Sequence, residues 1–461
     1  MPDAAIALNR FGLGARLADR PPADPRRWLI DQIKAYDPAP AQVRSLNASA
    51  DLIGMLGGAR EERRSLEKTG KDFGPNAQPG APRPFRDLRD EYVAGVGVRT
   101  ALALGSETPF AERLVHFWAN HFAISVDKAA VIGFAGAFEN EAIRPHVMGR
   151  FADMLNAVER HPAMLLYLDQ AQSIGPDSML GQAAGRRGKE RGLNENLARE
   201  ILELHTLGVR TGYSQADVTE FARALTGWTI GGLARQPRLQ GPGPRFWFAD
   251  LIHQPGARTI MGKRYGQNGE AQAQAVLADL AIHPATAHHV ATKLARHFAA
   301  DDPPASLVTR LEQAFLASRG DLPTLYRVLI EAPECWQAAP PKFRTPWEWT
   351  IAALRASGVT SLPGTTAAVA FQQLGQSIWK PGSPAGYDDV AASWIGPDAL
   401  FRRVEVAERI AARAGEVDAR ALGERLFPGA LGEPTRQAVA RAESGSQALA
   451  LLLASPEMMR R

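Results

Sequence analysis

The spacing of apolar residues constrains the fold of this chain more than any other feature. Along almost all of its 461 residues, apolar side chains recur at intervals of three and four positions. That interval places them on one face of a helix, whereas a half-buried strand would alternate at every second residue. The sequence therefore predicts an all-α, large multi-helix globular protein.

Helix start signals support this interpretation. Pro109 follows a threonine and Pro284 follows a histidine, and proline is favoured at the first position of a helix. Ser214 and Asp217 have the three-residue spacing of a capping box, in which each side chain bonds to the backbone N–H of the other residue. We therefore expect a helix to begin at each of these three places.

One region has the composition of strands. Residues 245–250 read Arg-Phe-Trp-Phe-Ala-Asp, and residues 258–261 follow them across the turn signal Gln-Pro-Gly at 254–256. The region predicts at most a small β-hairpin formed by these two segments. A loop anchored by aromatic side chains is the alternative.

The length of the chain allows more than one structural region. Residues 301–304 read Asp-Asp-Pro-Pro, a combination that ends a helix. We place a soft boundary there, which gives an N-terminal helical region at 1–302 and a C-terminal helical region at 303–461. A single compact unit is the alternative.

The charge and hydropathy patterns exclude several functional classes. Lys and Arg total 53 against 49 Asp and Glu, so we expect no nucleic-acid-binding surface. The longest apolar stretches, such as 449–454, fall far short of the roughly 20 residues that cross a bilayer, so we expect no membrane span. No basic leader precedes the short apolar run at 4–8, which makes the cytoplasm the default location.

Cysteine usage and motif content restrict the chemistry. Cys335 is the only cysteine, so neither an intrachain disulfide nor a cysteine-rich metal site can form. A metal would have to bind through His, Asp or Glu. We find no serine nucleophile elbow, phosphate loop, dinucleotide fingerprint, zinc-protease helix or haem-attachment motif, and therefore expect no cofactor.

A set of motifs carries a family resemblance. Residues 194–208 read Asn-Glu-Asn-Leu-Ala-Arg-Glu-Ile-Leu-Glu-Leu-His-Thr-Leu-Gly, and 222–228 read Ala-Arg-Ala-Leu-Thr-Gly-Trp. Supporting blocks lie at 117–122, 144–146, 161–165 and 283–294. From residue 9 to residue 386, the sequence resembles the bacterial domain-of-unknown-function family 1800.

The resemblance implies a protein whose activity has not been assigned. Many relatives look exported and are encoded beside a companion protein that resembles sulfatases and phosphatases, so such a companion is an expected partner. In many relatives an acidic residue follows His253, whereas this chain has Gln254. That difference weakens a His–Asp pair at this position, and the missing leader weakens export.

Two carboxylates define the main candidate site. The core stripe of a helix beginning near residue 194 consists of Leu197, Ile201 and Leu204. Asn196, Glu200 and Glu203 share one flank of that helix. Carboxylates three residues apart repel each other, which raises the pKa of one and suits it to general acid–base work. The alternative is that each carboxylate pairs with an arginine such as Arg199 or Arg223.

The histidines divide by helical face. On the helix that begins at Pro109, His121 lies on the apolar face, and we expect it to be buried and hydrogen-bonded. Glu112 and His116 lie on the opposite face, where we expect an exposed pair. His205 lies on the flank opposite Glu200 and is predicted to be a packing histidine.

These patterns predict the site residues. The predicted catalytic residues are Glu200, Glu203, His121 and Asp217. The predicted substrate-binding residues are Asn196, Arg199, Asn120, Arg223, Trp228 and His253. Tryptophan platforms suit sugar rings, and the basic loop at 186–191 runs into a helix N-terminus that suits an anion. The predicted substrate is therefore a glycan or an anionic small molecule, although a solvated loop is the alternative reading of 186–191.

Three functions remain open at this point. The first is a hydrolase that uses carboxylate and histidine acid–base chemistry on a glycan or other polymer, with Glu200 and Glu203 at its centre. The second is a metal-dependent enzyme that uses His121 and the two glutamates with His297 or His253. The third is a non-catalytic partner or scaffold of the companion protein.

Overall fold

The computed structural model describes residues 3–70, 83–186, 192–234, 236–338 and 342–461. Helices dominate these ranges, which confirms the all-α prediction. The α-helices, in chain order, are α1 (Asp3–Ile6), α2 (Pro25–Ala35), α3 (Ala41–Arg44), α4 (Ser49–Thr69), α5 (Arg86–Gly105), α6 (Pro109–His121), α7 (Ala135–Phe138), α8 (Phe151–Arg160), α9 (Pro162–Tyr167), α10 (Met179–Gly185), α11 (Asn196–Glu200), α12 (Gln215–Leu225), α13 (Glu270–Ala281), α14 (Pro284–Phe298), α15 (Ala305–Ser318), α16 (Leu322–Glu331), α17 (Pro346–Ala356), α18 (Gly364–Gln373), α19 (Pro397–Ala411), α20 (Ala419–Leu426), α21 (Glu433–Ala440) and α22 (Gly445–Leu453).

The helix that carries the main family motif changes its winding. After α11 the chain continues as a π-helical turn, Ile201–His205. A π turn closes its hydrogen bonds over five residues rather than four, so it rotates the following side chains about the helix axis. Leu202 is therefore fully buried, whereas Leu204, which the sequence placed in the core stripe, is only partly buried.

Four short strands confirm that the sheet content is small, but their pairing differs from the prediction. They are β1 (Trp228–Ile230), β2 (Phe246–Phe248), β3 (Arg258–Ile260) and β4 (Lys263–Tyr265). β1 pairs with β2 and β3 with β4, both antiparallel. The predicted hairpin would have paired β2 with β3. Gln254, between them, is instead tied to Asp177, to which its Nε2 donates at 2.7 Å.

One helix lies between two apolar clusters. The larger cluster runs from the N-terminal residues to α18, and the smaller one consists mainly of α19 to α22. Every residue of α17 is buried: Trp347 and Ile351 belong to the larger cluster, and Trp349 and Ala352 to the smaller. α17 thus joins the two cores. The division of the chain at residue 302 stays a prediction.

The local signals at two helix starts have the expected chemistry. Ser214 N–H donates to Asp217 Oδ2 at 2.8 Å, and Asp217 N–H donates to Ser214 Oγ at 3.3 Å, which completes the capping box of α12. At the start of α14, His283 Nδ1 accepts from Ala285 N–H at 3.1 Å. These bonds satisfy backbone donors that the first helical turn leaves free.

α6 is buried on both faces, which makes one prediction wrong. His121 is buried as predicted, but Glu112 is only 3% exposed and the His116 side chain only 9%. Glu112 forms an ion pair with Arg144 and lies 3.5 Å from His116 Nε2. The helical projection revealed the apolar stripe of α6 but not the second layer, including Arg144, that covers its polar face.

Two expectations concern the surface of the protein. No helix in the described ranges is both long and apolar enough to cross a bilayer. The basic loop at 186–191 lies outside the described residues except for Arg186. The anion site expected at the loop therefore stays a prediction.

The buried pair on α6 predicts a large loss of stability on neutralisation. Burial alone would raise the pKa of Glu112, but Arg144 and His116 lower it to about 2. Glu112→Gln leaves the Arg144 charge uncompensated and should reduce the free energy of unfolding by about 3 to 5 kcal/mol. Urea unfolding at neutral pH measures this loss. Because the unfolded carboxyl titrates near 4.5, the contribution of Glu112 in the wild type should disappear as pH falls from 4.5 towards 2.

Glu107→Gln is the matched control. Glu107 also pairs with an arginine, Arg16, but its side chain is 80% exposed. An exposed pair is worth less than about 1 kcal/mol. Equal losses in the two variants would contradict a structural role for the buried pair.

Candidate functional site

A cavity of about 260 Å³ lies where α6, α14, the start of α17 and the segment 376–390 meet. Its lining cations are Arg99, Arg113, Lys293 and Arg296, and its lining carboxylates are Glu348, Asp388 and Asp389. Aromatic side chains supply much of the remaining wall. In a cavity within a helical protein, an unpaired charge lowers the stability of the fold. A residue that carries such a charge is therefore a candidate functional residue.

Two helices present their polar stripes to the cavity. Arg113, His116 and Asn120 recur at intervals of three and four residues on α6, and Lys293 and His297 are four residues apart on α14. Residues with these spacings share one helical face. The packing of α6 and α14 against the same space therefore brings two cationic and two imidazole groups to one wall.

Glu348 is a buried anion that pairs with one of the lining cations, Arg113, and with Arg461 from outside the lining. Arg113 Nη1 forms an ion pair with its Oε1, and Arg461 Nε lies 3.0 Å from the same oxygen. The other oxygen accepts from Thr345 N–H at 2.9 Å, as part of the capping box of α17. Burial opposes ionisation, but Arg461 and Arg113 hold the pKa of Glu348 well below its usual value. The carboxylate is therefore charged and fully used.

Asp389 orients His297. His297 Nδ1 lies 2.7 Å from Asp389 Oδ2, and its Nε2 lies 3.4 Å from Arg113 Nη1. Burial, with Arg461 and Arg113, lowers the pKa of His297 to about 4, although Asp389 opposes this. The neutral ring then donates from Nδ1 to Asp389 and presents the lone pair of Nε2 to Arg113 and the cavity.

Lys293 is a partly buried cation without a direct hydrogen-bond or ion-pair partner among the described residues. In the part of the chain that the structure describes, no hydrogen bond or ion pair joins its Nζ to another residue. Burial lowers the pKa of Lys293 to about 8, Arg296 adds to this effect, and Asp389 opposes it. Arg296 itself bonds through Nε only to the backbone oxygen of Asp301, at 3.1 Å. The cavity thus has an excess of positive charge.

Two tryptophans form an aromatic wall beside Arg99. The Arg99 guanidinium lies 4.4 Å from the centre of the Trp347 ring and 5.4 Å from that of Trp379. Trp347 Nε1 donates to His116 Nδ1 at 3.2 Å, and Trp379 Nε1 donates to Glu139 Oε2 at 2.9 Å. Because both indole N–H groups are hydrogen-bonded, the ring planes of the two tryptophans have a defined orientation.

The predicted binding residue Asn120 also lines this cavity. Its Nδ2 donates to the Tyr387 backbone oxygen and its Oδ1 accepts from Tyr387 N–H, both at 2.8 Å. Gly386 has φ of +83° and a Cβ there would lie 2.3 Å from the Asn120 backbone oxygen. Asn120 therefore anchors the loop that carries Asp389 through both the nitrogen and the oxygen of its amide.

Glu200 and Glu203 lie elsewhere, on α11 and the π turn that follows. Both are partly buried, and Asn196 is exposed. Glu203 Oε1 lies 3.6 Å from Arg199 Nη1, while no described residue forms a hydrogen bond or ion pair with the Glu200 carboxylate. Burial raises the pKa of Glu200, and the charge of Glu203 adds to this shift. Glu200 is thus the carboxylate whose pKa is raised, and burial contributes more to the shift than repulsion by Glu203.

The other predicted site residues have contacts of their own. Asp217 uses both carboxylate oxygens, one in the capping box and one to accept from Met261 N–H at 2.6 Å. Arg223 pairs with Glu220. Trp228 is fully buried, and His253 Nδ1 contacts the Thr226 backbone oxygen at 2.7 Å. Asn120 is the only one of the predicted site residues that lines the cavity.

The imidazoles proposed as metal ligands have separate partners. His121 Nε2 contacts the His205 backbone oxygen at 3.1 Å, and His205 Nδ1 lies 2.7 Å from Glu159. His297 is paired with Asp389 and His253 with the Thr226 carbonyl. Within the described ranges, no three His, Cys, Asp or Glu side chains are placed to hold a metal ion.

Fold and cavity together define an all-α protein with a partly open, cation-rich pocket. A family model described as "Protein of unknown function (DUF1800)" matches residues 6–460, so the chain belongs to this family, as its motifs indicated. No curated protein and no solved structure matches the chain. The site must therefore be interpreted from its own chemistry.

Sequence reasoning missed most of this cavity. In the sequence, Lys293 stands only inside the family block at 283–294, and no pattern distinguishes Arg113, Glu348 or Asp389. One signal was available: Lys293 and His297 lie four residues apart and flank the apolar stripe of α14. Glu200 and Glu203 were predicted because they, too, lie beside the apolar stripe of a helix. A helical projection shows which polar residues lie beside the stripe, but not which of them lack partners.

The unpaired ammonium predicts that removing it stabilises the protein. Because the folded pKa of about 8 lies below the ordinary 10.5, the unfolded chain binds more protons between these values, and wild-type stability rises with pH across that window. Below pH 8 the cost of burying the charge is fully present. Lys293→Met, which conserves volume, should therefore raise the free energy of unfolding by up to about 3 kcal/mol at pH 7, and the gain should shrink towards pH 10.

Urea unfolding at several pH values measures this difference. Lys263→Met is the control, since the Lys263 side chain is 61% exposed and should show no such pH-dependent gain. If Lys293→Met were less stable than the wild type at pH 7, the ammonium would have a stabilising partner.

Proposed function

We propose that this protein is an enzyme that binds a small anionic substrate in the cavity and uses His297 as a general base. The observation that carries the proposal is the Lys293 ammonium, which lines the cavity without a carboxylate partner among the described residues. The volume of about 260 Å³ is close to the lower end of ligand pockets, about 300 to 1,000 Å³. It suits a small molecule or the end group of a larger one.

Charge compensation argues for an anionic substrate. Arg113 and Arg99 already have carboxylate partners, Glu348 and Glu139. Lys293 and Arg296 do not, so an anion would supply the counter-charge that the protein omits. A buried charge is costly until it is paired, and a ligand that pairs it gains that energy on binding.

The proposed chemistry follows from the His297–Asp389 pair. Asp389 accepts a hydrogen bond from His297 Nδ1–H and stabilises the imidazolium that forms when Nε2 takes a proton, the same division of roles as in a catalytic triad. Arg113, 3.4 Å from Nε2, is placed to stabilise negative charge that develops beside it. A water molecule activated at Nε2 would make the enzyme a hydrolase.

The cavity also limits the substrate classes proposed from the sequence. A glycan or other polymer would have to enter through an anionic end unit, with the tryptophan wall of Trp347 and Trp379 against its ring. The companion protein stays a proposed partner that could supply or receive such a unit. A scaffold without catalytic function would bind no anion in the cavity.

Anion binding is the first test. Phosphate, sulfate, citrate and glucuronate, with glucose as the neutral control, should be compared in thermal unfolding and calorimetry. A ligand that binds the folded state stabilises it by RT ln(1 + [L]/Kd), about 2.7 kcal/mol at one hundred times Kd. We expect at least one anion to stabilise the wild type and glucose to have no effect.

Lys293→Gln should abolish that stabilisation, and the surface variant Lys263→Gln should retain it. Anion stabilisation that survives in Lys293→Gln would place the ligand elsewhere. If no anion stabilises the wild type, the scaffold function is favoured.

The pair Glu200 and Glu203 is a second candidate hydrolase site, favoured by the raised pKa and missing partner of Glu200. Glu203→Gln weakens partly exposed contacts with Arg199 and Tyr213, so we expect a stability change below about 1 kcal/mol. Glu200→Gln should be neutral or slightly stabilising. Assays with chromogenic glycosides and esters then separate the sites: loss of hydrolysis in these variants but not in His297→Gln would place the reaction at α11.

A further inference from the structure

We propose that Lys293 is a nucleophilic amine that condenses with the carbonyl group of an anionic substrate to form an imine. This rests on the proposed function, because it assigns a substrate class to the same cavity: a small carbonyl compound that carries a carboxylate, such as a 2-oxo acid or an aldehyde acid.

The geometry gives the amine what this reaction needs. Lys293 lines the cavity, and no described residue holds its Nζ in a hydrogen bond or an ion pair. His297, one turn further along α14 on the same face, also lines the cavity; its Nδ1 is paired with Asp389, and its Nε2 lies 3.4 Å from Nη1 of the lining residue Arg113. A nucleophile and a proton acceptor therefore share one wall.

The protonation state supports the geometry. With its pKa lowered to about 8 by burial, about a tenth of Lys293 is free amine at pH 7, roughly three hundredfold more than for an ordinary lysine. Desolvation together with a neighbouring cation, here Arg296, is a recognised way to activate a lysine for imine formation. Lys342 shows the contrast: its Nζ is tied to Asp301 and to the Asp389 backbone oxygen.

The steps balance without a redox partner. The free amine attacks the carbonyl carbon, and His297 Nε2 takes a proton from the nitrogen and passes it to the carbonyl oxygen, which gives a neutral carbinolamine. His297 Nε2 then takes the second N–H proton and passes it to the hydroxyl group, which leaves as water as the C=N bond forms. One amine and one carbonyl thus give one imine and one water. Arg296 provides a second cation for the substrate carboxylate, and Arg113 stabilises the oxygen during attack.

Reductive trapping tests the proposal on the full chain. The protein is incubated with glyoxylate or pyruvate and cyanoborohydride at pH 7, and peptide mapping by mass spectrometry locates the reduced adduct. We expect occupancy at Lys293 at least about tenfold above that at the surface lysines Lys263 and Lys380, which serve as internal controls. Lys293 occupancy no higher than theirs would overturn the proposal, whatever the variants do.

Two variants separate this proposal from anion binding. Lys293→Arg keeps the charge but lacks the nucleophile, so it should still be stabilised by citrate or phosphate while losing the adduct at residue 293. His297→Gln should slow the reductive trapping of the adduct at Lys293 several-fold relative to the wild type at pH 7. Anion stabilisation of the wild type without trapping at Lys293 would leave the binding function standing and refute the imine.

Discussion

The buried carboxylate of Glu348 is the interaction on which the rest of the site depends. It accepts Arg113 from α6 and Arg461 from the C-terminal residues, while its other oxygen caps α17. Arg461 also donates to the His297 backbone oxygen on α14, at 2.7 Å. The Glu348 carboxylate thus connects α6, α14 and α17. Because the two faces of α17 belong to two different apolar cores, the position of Glu348 is coupled to the packing of both cores.

The same arrangement explains why the cavity is cationic. Glu348 and Asp389 already pair with Arg113, Arg461, Lys342 and the ring of His297, and neither carboxylate forms a hydrogen bond or an ion pair with Lys293. A fold selected for stability alone would replace such a lysine by an apolar residue, because an unpaired ammonium is costly to bury. A ligand that supplies the missing negative charge would explain why this cost is retained. The free energy that the unpaired Lys293 charge costs in folding would then be regained when the anion binds.

Sequence reasoning succeeded where the signal is local. The apolar period predicted the helices, the Ser214–Asp217 capping box started α12, and His121 lay on the apolar face of α6. It failed where a second element decides the outcome. Glu112 is buried because Arg144 covers it, and β2 pairs with β1 because the chain around Gln254 is held elsewhere. Lys293 could not be selected, because the lack of a partner is a property of the packed structure rather than of any motif.

The ionisation of Lys293 decides whether the cavity contains an unpaired cation. Nuclear magnetic resonance of lysine labelled with carbon-13 at the ε position follows each ammonium group through its own titration, and Lys293→Met assigns the signal. We predict a titration midpoint near pH 8 for Lys293, and midpoints near the ordinary value of 10.5 for the surface lysines. Addition of a bound anion should move the Lys293 midpoint upwards, since the new negative charge favours the ammonium. A Lys293 midpoint at the ordinary value in the free protein would mean that the ammonium is solvated or paired, and would contradict the central claim.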